Sequence, residues 1–213
     1  MSQMNPEIST SNAAPFVPQK LTYEEFLCEY DGRHAEFVNS EVIKPMSVTK
    51  THNELTQFFC NVLQFYVEAK NLGKIYSEPY QVKMTFKDGI HGREPDVFFV
   101  KTENFDRIQE QFFEGAADLV IEIVSPESVV RDTQEKFEEY EAAGVKEYWI
   151  IDYNRRTANF YGFDEIGKYQ LLPISPDGKF SSRVIEGLWV KIEWLWRENL
   201  PALTEVLKDW KLI

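Results

Sequence analysis

Between Thr51 and Leu72, the apolar residues Leu55, Phe58, Phe59, Val62, Leu63, Phe65 and Tyr66 recur at helical spacing. That spacing predicts one long helix with an apolar face, stopped by Gly73. A shorter helix is predicted from Thr22, where Thr22 and Glu25 form a capping box ahead of Phe26 and Leu27. Between the two, Ala35–Val38 and Glu41–Lys44 flank Asn39-Ser40 and read as a hairpin. Past Gly73 the period changes. Gln81–Phe86 alternates, Lys87-Asp88-Gly89 turns the chain, and Asp96–Val100 is a short apolar run. Leu119–Val124 is a second run, broken only by Glu122, and its continuous apolar character predicts a strand covered on both faces. A helix over Thr133–Ala143, capped by Asp132 and Glu135 and stopped by Gly144, separates it from another buried strand, Lys146–Asp152. Two strands joined through a helix are predicted to be parallel neighbours. Thr157–Phe163 and Lys168–Ile174 form an outer meander, and Glu193–Trp196 and Ala202–Trp210 read as short C-terminal helices.

The 213 residues show no repeat and no second apolar core, so one α/β domain is expected over 20–213. Residues 1–19, rich in Ser, Asn and Pro with little to bury, read as a disordered leader. The net charge of −12 excludes a surface that is basic all over, but not a local basic groove. Cys28 and Cys60 make neither a disulfide framework nor a zinc set, and each is expected to pack in the core in a reducing compartment. With no long apolar run and no secretory leader pattern, a cytoplasmic protein without a membrane partner is expected.

Two carboxylates stand out. Asp96 opens its strand directly after Pro95, and Glu122 shares a strand face with Val120 and Val124. A carboxylate among Val and Ile is costly unless something compensates it. A salt bridge is one compensator. A divalent cation held by oxygen ligands is another, and the pair on adjacent strands with a lysine nearby favours it. The lysine is Lys136, one position before Phe137 and four before Tyr140, which borders the apolar helix face and places it to reach over Glu122. Taken alone, Lys136 reads rather as a solvated helix lysine paired with Glu139 or lying along Tyr140. Asp118 shares the face of Glu122 but lies about 13 Å along the strand, too far for one cation, and reads as a polar strand-entry residue.

The segments Arg93-Glu94-Pro95-Asp96-Val97, Ala117–Pro126, Arg131-Asp132, Lys136, Tyr140 and Ala143–Asp152 together resemble the Uma-type endonuclease family of the PD-(D/E)XK nuclease superfamily. Glu36–Val42, Met46-Ser47 and His52 fit the same pattern, so the resemblance runs from about Thr22 to Gly187. It implies a restriction-endonuclease-like mixed sheet flanked by helices and Mg²⁺- or Mn²⁺-dependent cleavage of DNA. Asp96 takes the place of the first motif's Asp and Glu122 that of the second motif's acid, both as metal ligands. The lysine that usually follows that acid by two residues is replaced by Val124, and Lys136 stands in for it from the next helix. Glu36 is a further carboxylate candidate and His52 a secondary, cleft-lining one. Ala117 and Asn39-Ser40 depart from the family at turns only. Removing the Lys136 ammonium is expected to cost cleavage while leaving folding nearly intact. Arg131 is placed to meet a phosphate or to pair with Asp132 or Glu135. Trp149, Trp189, Trp194 and Trp196 read as core or interface, and Leu188, Trp189, Trp194, Leu195 and Trp196 suggest a homodimer surface. The alternative is a catalytically silent copy of the same fold that acts as a binding module.

Overall fold

A computed structural model describes residues 20–44 and 47–213; the leader over 1–19 and the Met46 position lie outside the described residues. In chain order the elements are α1 (Tyr23–Glu29), the hairpin β1 (Glu36–Val38) and β2 (Glu41–Ile43), and the long helix α2 (Lys50–Ala69). Then come β3 (Gly73–Ser77), β4 (Gln81–Phe86), β5 (Gly89–Arg93), β6 (Val97–Lys101), β7 (Phe112–Glu114) and β8 (Leu119–Ile123). Helix α3 (Lys136–Ala143) leads to β9 (Glu147–Asp152), β10 (Thr157–Phe163), β11 (Tyr169–Leu171), β12 (Lys179–Ser181) and β13 (Trp189–Lys191), and α4 (Leu203–Asp209) closes the chain.

The central sheet has the order β11-β10-β9-β8-β6-β3. β8 and β9 are parallel as expected, and the remaining neighbours are antiparallel. Alternation along β6 and β8 divides the core in two. Val97, Phe99, Leu119, Ile121 and Ile123 face Leu55, Phe59, Val62 and Leu63 of α2. Phe98, Val100, Val120 and Val124 face the other way, toward Tyr140 of α3 and Val145. A second sheet, β2-β1-β5-β4-β7, supplies Val82 and Met84 to that second cluster. The fold is thus mixed α/β, with mixed sheets flanked by helices.

Local signals explain most of these elements. Thr22 and Glu25 form the reciprocal capping box of α1. Asn39 and Ser40 both take positive φ, 49° and 70°, as a two-residue hairpin turn requires.

Five expectations need correction. Helix α2 ends at Ala69 through Asn71 at φ 53°, and Gly73 belongs to β3. A Cβ on Gly73 would lie 2.1 Å from the Val100 carbonyl oxygen, so this glycine permits strand pairing and does not end the helix. Asp132 and Glu135 do not cap α3: residues 131–135 form a π-helical turn running straight into the helix, and Asp132 is buried. Ile192–Trp196 is a single 3₁₀ segment. Cys28 is exposed, so it does not pack in the core. The aromatic C-terminus is also largely packed internally: Leu188, Trp194 and Leu195 are buried in the α2-side core, and only the half-buried Trp189 and Trp196 keep part of the apolar surface that suggested a homodimer.

Strands β3, β5, β7, β12 and β13 were not legible in the sequence. β5 reads Gly-Ile-His-Gly-Arg, without the β-branched and aromatic run that marks a strand. No helix among the described residues is long and apolar enough to cross a membrane.

Candidate active site

Strand pairing brings the two carboxylates together. In the antiparallel β6–β8 register Val97 faces Ile121, so one step further Asp96 stands opposite Glu122. The Ile123 amide donates to Asp96 Oδ2 at 2.6 Å, which fixes the carboxylate against β8. On the α2 side, His52 Nε2 lies 3.2 Å from Asp96 Oδ1. His52 sits in the first turn of α2, where its amide is held by the Thr49 side chain. Burial disfavours a charged His52 ring, but the hydrogen bond to Asp96 prevails and raises its pKa.

Glu122 lies on the face of Val120 and Val124, where α3 packs. Lys136 Nζ donates to Glu122 Oε1 at 2.8 Å and Tyr140 Oη donates to the same oxygen at 2.9 Å. Lys136 and Tyr140 are one turn apart on α3, so a single helix face supplies both donors. The π-helical turn before α3 adds Asp132, whose Oδ1 stands 3.9 Å from Lys136 Nζ. From the hairpin, Glu36 Oε1 approaches the same ammonium at 2.9 Å. Lys136 is therefore a buried cation, 2% exposed, facing Glu36, Glu122 and Asp132 together.

The electrostatics follow from that crowding. Burial raises the Glu122 pKa well above the usual carboxylate range; Lys136 opposes the rise, while Asp132 and Asp96 add to it. Burial likewise raises Asp132. Glu36 is held down at about 2, because Lys136 and Arg93 outweigh its burial. Lys136 is raised, its own burial being overcome by Glu122, Glu36 and Asp132, so it stays protonated. Glu94 is pushed up to about 8, chiefly by burial.

These groups line a cavity of about 270 Å³, in which seven Asp and Glu side chains face Lys44, Arg131, Lys136 and His52. The structure brings Asp96, Glu122, Lys136, Glu36 and His52 to this one place. Arg131 also lines it, with Nε 3.4 Å from Asp132 Oδ1. Asp118 does not: it is buried elsewhere, accepting from the Lys101 amide and Asn104 Nδ2. Sequence reasoning missed Asp132 as a site group, although its spacing four residues before Lys136 puts both on one helix face. It also gave no role to Arg93, Glu94 or Glu78.

The donor chemistry can be tested against a divalent cation. No group of three or more His, Cys, Asp or Glu side chains among the described residues is spaced to hold a metal ion. Magnesium, however, commonly takes only one or two protein carboxylates and completes its shell with water and phosphate oxygens. Asp96 and Glu122 are two such oxygen donors in a cavity with surplus negative charge, so the residues fit Mg²⁺ or Mn²⁺.

Comparison with known proteins agrees with the fold. The chain superimposes on the crystal structure of a protein from Anabaena variabilis described as a "putative nuclease belonging to DUF820", with a TM-score of 0.66 and 20% identity over 83% of this chain and 97% of that one. No curated protein sequence matches the chain. A family model described as "Uma2: Putative restriction endonuclease" matches residues 22–193, which hold the paired strands, the cavity and α3. With that match over most of its length, the chain belongs to the Uma2 family.

Proposed function

We propose that the protein is a Mg²⁺- or Mn²⁺-dependent endonuclease that hydrolyses DNA phosphodiester bonds. The observation that carries this reading is the meeting of Asp96 and Glu122 across paired strands, with the Lys136 ammonium on Glu122, at one polar cavity. Asp96 and Glu122 would hold the cation. When bound, it supplies a water of lowered pKa and offsets charge building on the phosphate. The protein's own groups do the rest. Lys136, kept protonated by the surrounding carboxylates, presents an N–H donor that can orient the attacking water or stabilise charge on the phosphate in the transition state. The Ile123 amide and His52 fix both oxygens of Asp96, so its carboxylate is preorganised. Tyr140 does the same for Glu122 Oε1. Lys44 and Arg131, the other cations of the cavity, are placed to meet phosphates of the strand.

The acidic lining and the net charge of −12 favour a second reading, a silent nuclease-fold protein that binds a partner. One experiment separates them. Purified protein with Mn²⁺ is incubated with supercoiled plasmid, linear duplex and single-stranded DNA. The nuclease reading expects nicking or cleavage that EDTA and Glu122→Gln abolish. If all three DNAs stay intact while calorimetry shows Mn²⁺ bound, the binding-module reading replaces it.

A further inference from the structure

Arg93 ends β5 with 1% of its surface exposed, and its guanidinium is shared by several carboxylates. Nη1 donates to Glu36 Oε2 at 2.8 Å. Nε and Nη2 fork onto Glu139, at 2.7 Å to Oε2 and 2.6 Å to Oε1. Glu135 Oε2 stands 3.9 Å away. Arg93 is not among the residues lining the cavity, so it acts on the site only through what it holds. Its partner Glu36 has its other oxygen, Oε1, 2.9 Å from Lys136 Nζ, the same ammonium that donates to Glu122 Oε1 at 2.8 Å. Two buried carboxylates thus share one ammonium, which contacts both at once, and how far it is drawn toward either depends on what else each can bind.

We propose that Arg93 is a positioning residue that occupies Glu36 Oε2 and so keeps the Lys136 ammonium on Glu122. Without Arg93, Glu36 would retain only Lys136 and the Glu94 amide, 3.3 Å from Oε1, and would draw Lys136 toward itself. The Glu139 fork reinforces the arrangement. Glu139 lies three residues after Lys136 on α3, so Arg93 also ties the helix carrying the ammonium to β5. A planar fork can bind Glu36 and Glu139 at once, whereas a lysine ammonium, a compact point charge, cannot hold both in that geometry.

This inference rests on the nuclease reading only for its activity arm. The test compares Arg93→Met, Arg93→Lys, Arg93→Met with Glu36→Gln, and Glu139→Gln, by Mn²⁺-dependent plasmid cleavage and by crystal structures of the metal-free proteins. Arg93→Met is expected to cut about a hundredfold more slowly, the scale of one lost electrostatic stabiliser. Arg93→Lys should recover less than about tenfold of that. Adding Glu36→Gln to Arg93→Met should recover at least about tenfold, because the competing carboxylate is gone. In the Arg93→Met structure, Lys136 Nζ should leave Glu122 for Glu36. The proposal is overturned if Lys136 stays on Glu122 in that structure. It is also overturned if Glu36→Gln gives no recovery while Glu139→Gln loses as much as Arg93→Met, which would make Arg93 a fold rivet only. Should Arg93→Met fail to fold, Arg93→Lys with and without Glu36→Gln carries the same comparison. A wild type that cuts no DNA overturns the nuclease reading instead, and the Lys136 position then decides this one.

Discussion

Lys136 Nζ and Glu122 Oε1 lie 2.8 Å apart although a loop and a π-helical turn separate them in the chain. Both side chains are almost fully buried, and the ion pair ties α3 to the centre of the main sheet. That burial corrects the expectation that Lys136 can be removed without harm to folding. Breaking a buried ion pair from one side leaves the other charge uncompensated, at a cost of about 3–5 kcal/mol.

Lys136→Ala is therefore expected to lower both stability and activity. Urea unfolding should show a loss on the order of 3 kcal/mol, because Glu122 and Glu36 lose their shared cation. Cleavage by the fraction still folded should drop by about a hundredfold or more. Full activity in a properly folded Lys136→Ala protein would remove the lysine from the mechanism.

The pairing of Lys136 with Glu122 was legible in the sequence because helix period and strand alternation each fix a face. Glu122 had to share a face with Val120 and Val124, and Lys136 had to border the Phe137/Tyr140 face. The Asp96–Glu122 meeting followed from two apolar runs on neighbouring strands. What stayed hidden depended on contacts without a local signature. Arg93 reaches Glu36 and Glu139, 57 and 46 residues away, through a strand whose composition does not announce it. Asp132 matched a capping box by spacing, but the backbone there continues as a π-helical turn and needs no cap. The C-terminal tryptophans showed apolar area and not its destination, since only the packed core tells a buried Trp194 from an interface one.

Stability of the metal-free protein should fall as pH rises from about 5 to about 8. Glu94 has its pKa raised by burial, to about 8, so over that range the folded state holds a proton that the unfolded state releases. Such a group stabilises below its unfolded pKa, and the contribution is lost as pH climbs through the folded one, by at most about 1.4 kcal/mol per unit. Asp132, raised by burial, and His52, raised through Asp96, act in the same direction. Glu36, held at about 2, acts oppositely but only below the ordinary carboxylate range. Melting temperatures measured from pH 5 to 9 in EDTA should decline, and Glu94→Gln should flatten the decline. A Glu94→Gln profile parallel to wild type would exclude Glu94 as a source.

Gly73→Ala tests the β3–β6 pairing. The added methyl would meet the Val100 carbonyl oxygen at 2.1 Å and the Phe99 ring at 2.6 Å, and the backbone oxygen cannot swing away as a side chain could. Overpacking of this kind costs about 1–3 kcal/mol. Thermal unfolding should show it as a fall of about 2–12 °C, taking about 2–4 °C per kcal/mol for a chain of this size. An unchanged melting temperature would mean that β3 does not pair closely with β6 at this point.

Metal binding separates the two carboxylates from the rest of the acidic cavity. A ligand that binds only the folded state stabilises by mass action, about 2.7 kcal/mol at a hundredfold excess over its dissociation constant. For a chain of this size that raises the melting temperature by about 5–10 °C. Mn²⁺ should produce such a rise in wild type. Asp96→Asn and Glu122→Gln should abolish it, since each replaces a charged oxygen donor by a neutral amide of the same shape. Glu122→Gln should nevertheless fold, because Lys136 keeps Glu36 and Asp132 as partners and one buried negative charge has been removed. Glu127, another acid of the cavity lining, is exposed and forms no part of the pair, so Glu127→Gln should retain the full rise. Equal Mn²⁺ stabilisation in wild type, Asp96→Asn and Glu122→Gln would place the cation elsewhere in the cavity and remove the basis for assigning the chemistry to these two residues.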